Sequence, residues 1–182
     1  MVLGAVLLAG VAACDAGGGT TGPAPDGPSV SLDDANGHPL LLPNTDPGVT
    51  TFETELLRLV NDHRLLLGLT PLIPSTRLGD AARAHCRNMI DQKFFAHVSP
   101  EGLTPAERLT LANVDWSSVG ENIAAGYSTP QAVFDAWLAS TEHRANMESP
   151  SFTYAGVGYV QDTDPTPDFP DVHYWAMAFL RR

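Results

Sequence analysis

A change of hydrophobic period constrains this chain most. Through its first folded stretch, apolar residues recur at helical spacing. Phe52, Leu56, Leu59, Val60 and Leu67 make one stripe, and Leu78, Ala82, His85 and Met89 share a second face. Val133, Phe134, Trp137 and Leu138 form a third buried side. After His143 the spacing changes. Ala155 to Val160 reads as a strand, and Val172 to Leu180 alternates, with Tyr174, Ala176, Ala178 and Leu180 opposing His173, Trp175, Met177 and Phe179. The two strands are expected to pair as a hairpin across the acidic, Pro-rich loop Asp162 to Asp171. Helices lead and strands close the chain, which defines an α+β fold.

Punctuation supports the helices. Thr50-Thr51-Phe52-Glu53 fits a capping box, and Gly68 with Pro71 stops that helix. A second helix starts near Ser75 and gives out near Lys93. Thr104-Pro105-Ala106-Glu107 places Thr at the N-cap, Pro at N1 and Glu at N3, and Ser128-Thr129-Pro130-Gln131 opens the next helix by similar chemistry. That helix is expected to end on His143-Arg144. Asn61 and Arg64, three apart on one helix face, read as a surface pair. His85 reads as a partly buried core histidine, and Cys86 as a buried free thiol.

The N-terminal third differs in kind. Residues 1–13 are entirely apolar or glycine and too short to span a bilayer as a helix. They fit the apolar core of a signal peptide, and Val11-Ala12-Ala13-Cys14 resembles a lipobox, in which Cys14 is lipidated. Residues 15–49 are rich in Gly, Pro and Asp and read as a flexible tether. The expected organisation is a signal peptide over 1–14, a linker over 15–49 and a domain over 50–182. Such a chain is expected to be extracytoplasmic, in the cell envelope, held to the membrane through Cys14 or secreted.

Composition excludes some classes. A net charge of −11 argues against a nucleic-acid partner, which needs a basic face. With two cysteines and no CxxC or Cys–His spacing, the chain carries no structural zinc motif. The residues able to carry chemistry are His97, in Phe94-Phe95-Ala96-His97-Val98-Ser99-Pro100, Glu121, ahead of Ile123-Ala124-Ala125, and His143. No H-E-x-x-H, G-x-S-x-G or Cys–His signature accompanies them. Ser99 and Ser140 lie near the histidines, but serine there reads as a cap or turn residue.

These motifs, in order, are Asn61-x-x-Arg64, FFAHVSP, GENIA at Gly120–Ala124, Trp137 followed by Ser140-x-x-His143-Arg144-Ala145-Asn146, and Gly156-Val157-Gly158. Together they resemble a bacterial member of the CAP superfamily (cysteine-rich secretory proteins, antigen 5 and pathogenesis-related proteins). The resemblance implies a three-layer α-β-α sandwich with a cleft lined by histidines and acidic residues. Carried over, His97, Glu121 and His143 are cleft residues. A second cleft glutamate of many family members falls here on Ser140. Glu142 lies nearby, but at about 100° per helical residue the two point some 200° apart unless the helix breaks at Thr141.

Imidazole nitrogens bind zinc, and an open site needs about three protein ligands plus water. His97, His143 and Glu121 are therefore the candidate ligands for weakly bound Zn2+ or another divalent cation. The expected function is that of a monomeric, membrane-tethered domain binding an envelope ligand or metal in this cleft, without turnover. The alternative is a metal-assisted hydrolase of envelope peptides or polymers, with Glu121 as base.

Overall fold

A computed structural model of the chain describes residues 50–182. The apolar residues 1–13, Cys14 and the Gly/Pro-rich stretch to residue 49, and with them the signal-peptide, lipobox and linker expectations, lie outside the described residues. The first helix, α1 (Thr51–Leu66), begins at the expected capping box: Thr50 and Glu53 each accept the other's backbone N–H. Glu53 does more than cap. It is buried, accepts the Tyr159 N–H at 2.8 Å and pairs with Arg83 at 3.0 Å. One carboxylate thus ties the start of α1 to a strand and to the second helix.

Asn61 and Arg64 are not a surface pair. They are only 8% and 1% exposed. Asn61 bonds both the N–H and the carbonyl of Leu72, at 2.7 and 3.0 Å. Arg64 donates to the carbonyls of Thr70, Met147 and Ser149 at 2.7–2.9 Å. Their polar groups turn inward because the loop after α1 and the end of α5 present main-chain groups there that lack a partner within a helix or strand.

The remaining elements are β1 (Ile73–Pro74), α2 (Thr76–Asp91), α3 (Pro105–Leu111), β2 (Ser118–Ala125), α4 (Pro130–Ala139), α5 (Thr141–Glu148), β3 (Tyr154–Gln161) and β4 (His173–Arg181). The sheet runs β1-β3-β4-β2; β1 lies parallel to β3, and the other neighbours are antiparallel. The expected hairpin is β3–β4. Alternation splits its side chains between two faces. Trp175, Met177 and Phe179 pack with Leu56 and Val60 of α1, Trp137 of α4 and Met147 of α5. Tyr174, Ala176, Ala178 and Leu180 pack with α2 and α3. The result is the α-β-α sandwich.

The pattern assigned no element to GENIA; it is a strand, β2, at the edge of the sheet. The helix expected to end on His143-Arg144 instead breaks at Ser140, whose extended backbone (φ −91°, ψ 125°) closes α4 and opens α5. His143 therefore sits in the first turn of a separate helix. Among the described residues no helix is long and apolar enough to cross a membrane.

Candidate functional site

Glu121 is the hub. It sits on edge strand β2 opposite Ala178, so its side chain projects into the layer of α2 and α3. It is 8% exposed. Oε1 accepts from His97 Nδ1 at 2.9 Å, and Oε2 from Arg108 Nη2 at 2.6 Å. His85 Nε2 lies 3.8 Å from Oε1. Burial alone would push this carboxyl up; the His97 hydrogen bond and the Arg108 and histidine charges outweigh it and hold the carboxyl below its usual range. Glu121 is therefore an ionised, fully engaged acceptor.

His97 stands in the irregular segment between α2 and α3. Lys93, in the left-handed region (φ 53°), turns the chain out of α2, and the Phe94 and Phe95 rings pack on the core beside Ile123 and Tyr174. Ser99 is buried in the following turn, where its hydroxyl accepts the Leu103 N–H. His85 is fully buried and donates from Nε2 to the Ala96 carbonyl at 3.0 Å. Burial pushes its imidazole down to about 4. Cys86 is a buried free thiol, as expected, and burial pushes its pKa up.

His143 reaches the site from the other layer. Asn122 donates to the His143 carbonyl at 3.0 Å, and Asn146 donates to the Glu121 carbonyl at 3.2 Å and to Asn122 Oδ1 at 2.9 Å. These two amides lash α5 to the strand that carries Glu121. The His143 ring lies 6.2 Å from that of Trp137. Burial lowers its pKa, the positive charge of nearby His97 lowers it further, and Glu142 opposes both. Ser140 is half-buried and Glu142 exposed, the hydroxyl of Ser140 donating to Glu142 at 3.4 Å.

The donor set fits a metal only in part. Both Glu121 oxygens already have partners, and among the described residues no cluster of three or more His, Cys, Asp and Glu side chains forms a ready cage. The free donors are imidazole nitrogens. Sequence reasoning missed Arg108 and the docking role of Asn122 and Asn146. The asparagines stand inside quoted motifs; Arg108, one turn into a capped helix, carries no local signal.

Fold and site together define a CAP domain, and the chain belongs to that family: the cysteine-rich secretory protein family profile matches residues 57–179, more than half of its length. The uncharacterized protein YkwD of Bacillus subtilis (strain 168) is 38% identical over 113 residues, covering 62% of this chain and 44% of that protein. The uncharacterized membrane protein YlbC of the same organism is 31% identical over 133 residues, covering 73% of this chain and 35% of that protein. The chain thus spans less than half the length of the curated relatives it matches. Among solved structures, an extracellular protein containing a SCP domain from Bacillus anthracis str. Ames matches with a TM-score of 0.64 and 32% identity, over 71% of this chain and 40% of that one. An outer surface protein from Borrelia burgdorferi shares the fold, with a TM-score of 0.64 at 20% identity over 71% of this chain and 91% of that one.

Proposed function

We propose that this chain is an extracytoplasmic CAP domain that binds a polar ligand or a divalent cation, and that it does not turn over a substrate. The seam we assign is formed by His97, bonded to Glu121 at 2.9 Å, together with His143. The observation carrying this reading is the engagement of Glu121. A carboxylate held below its usual range by a guanidinium and an imidazole is a poor general base. It is well suited to orient His97, as carboxylates behind metal-bound histidines do. His97 and His143 would then hold a cation through ring nitrogens, with Glu121 behind His97 rather than on the metal. A bound cation would supply a local positive charge for an anionic or carbonyl-bearing ligand.

Zinc calorimetry tests this. His97→Ala and His143→Ala are each expected to abolish the heat of binding, and Glu121→Gln to weaken affinity by about 10-fold to 100-fold. Unchanged heat in both histidine variants would remove the metal reading. Glu121-dependent cleavage of envelope material by the purified protein would favour the hydrolase instead.

The extracytoplasmic placement draws support from similarity to proteins described as extracellular or outer-surface. The proposed anchor at Cys14 has its own test. Metabolic labelling with a fatty acid should tag the wild-type chain and not Cys14→Ala; equal labelling of both rejects the anchor.

A further inference from the structure

Arg108 is placed to do more than neutralise a buried charge. Nη2 donates to Glu121 Oε2 at 2.6 Å, while Nη1 of the same planar group donates to the carbonyls of His97 at 2.7 Å and Leu103 at 2.9 Å. A single rigid fork therefore holds the carboxylate that meets the His97 ring and the main chain that carries it. His85 assists from α2 by holding the preceding carbonyl, that of Ala96, at 3.0 Å. Two consecutive carbonyls of a segment outside any helix or strand are thus fixed by side chains from two helices, His85 buried and Arg108 mostly so.

The hydrogen-bond pattern has a chemical consequence at the ring. An ionised carboxylate offers only acceptors, so the His97 nitrogen facing Glu121 must be the donor. The proton sits on Nδ1 and the lone pair on Nε2, which lies on the far side of the ring. If the carboxylate turned, or the main chain shifted, no other described contact would select that tautomer.

We propose that Arg108 is a positioning residue for the seam: by clamping Glu121 and the His97 main chain in one frame, it fixes His97 in the Nδ1–H form and leaves the Nε2 lone pair for a ligand. This inference rests on reading the seam as a binding site, but its test does not depend on a ligand. In 15N-labelled protein without metal, at about pH 8.5, where an ordinary histidine is neutral, wild-type His97 should show one donor nitrogen, Nδ1, and one lone-pair nitrogen, Nε2. In Arg108→Met the two ring signals should move toward averaged values, and zinc affinity should fall about 10-fold or more. A folded Arg108→Met that keeps the wild-type ring signature overturns the inference, because a purely structural arginine would change stability and leave the tautomer alone. Should that variant fail to fold, Arg108→Lys keeps the charge but loses the planar fork; averaged ring signals in it support the inference and a single Nδ1–H form overturns it. A wild-type protein that binds no zinc defeats the metal reading, while the 15N result still decides the role of Arg108.

Discussion

At the scale of single residues, buried polar side chains mostly serve main-chain groups far away in sequence. Arg64 satisfies three carbonyls, two of them more than eighty residues along the chain. Arg64→Ala should therefore lower unfolding free energy by about 3 kcal/mol or more, since each orphaned buried acceptor costs about 1–3 kcal/mol. Chemical denaturation checks this; a loss under about 1 kcal/mol would mean that water replaces the guanidinium. The same remoteness explains why Asn61 and Arg64 read as a surface pair. Helical spacing shows that two polar residues share a face, but not that this face meets a loop. Glu121 and His97 were legible as candidates because each stood close to apolar neighbours, and His143 because it sits in the Ser140-x-x-His143-Arg144-Ala145-Asn146 motif. Arg108 was not, because its partners come from two other segments.

At the scale of elements, the helices were legible from caps, and β3 and β4 from alternation. β2 was not. Its central residues are buried on both sides, so no period marks it, and its strand character comes from pairing with β4, far along the chain. The break at Ser140 was also hidden: Thr141 onward keeps good helix formers, and only docking by Asn122 and Asn146 shows why the axis turns. Helix α2 lies tight against β3. A Cβ on Gly158 would lie 2.2 Å from the Arg83 backbone nitrogen, and one on Gly156 would lie 2.1 Å from that of Gly79. Backbone cannot yield as a side-chain tip does. Gly158→Ala should accordingly cost about 3 kcal/mol or prevent folding. A melting temperature equal to wild type would show that α2 can ride up at little cost.

At the scale of the molecule, α5 on one face and α2 with α3 on the other share the hold on edge strand β2. Acid should loosen it. Buried His85 is neutral when folded, its pKa depressed from 6.5 to about 4, whereas the unfolded chain protonates it near 6.5. Its contribution is thus complete above about 6.5 and is lost as pH falls toward about 4, amounting to about 3 kcal/mol. His143, also depressed, acts in the same direction, and Glu121, depressed as well, extends the loss below the ordinary carboxylate range. Unfolding free energy measured from about pH 7 to about pH 4 should fall in wild type and fall less in His85→Phe. Identical pH slopes would mean that His85 finds a partner for its added proton in the fold.

The central claim is that His97 and His143 offer ring nitrogens to one bound species. A crystal of the domain soaked in zinc, with anomalous data at the zinc edge, asks this directly. The expected result is a peak bonded to both imidazoles, with Glu121 behind His97 and off the metal. A peak elsewhere, or none beside either ring at saturating zinc, would contradict the claim.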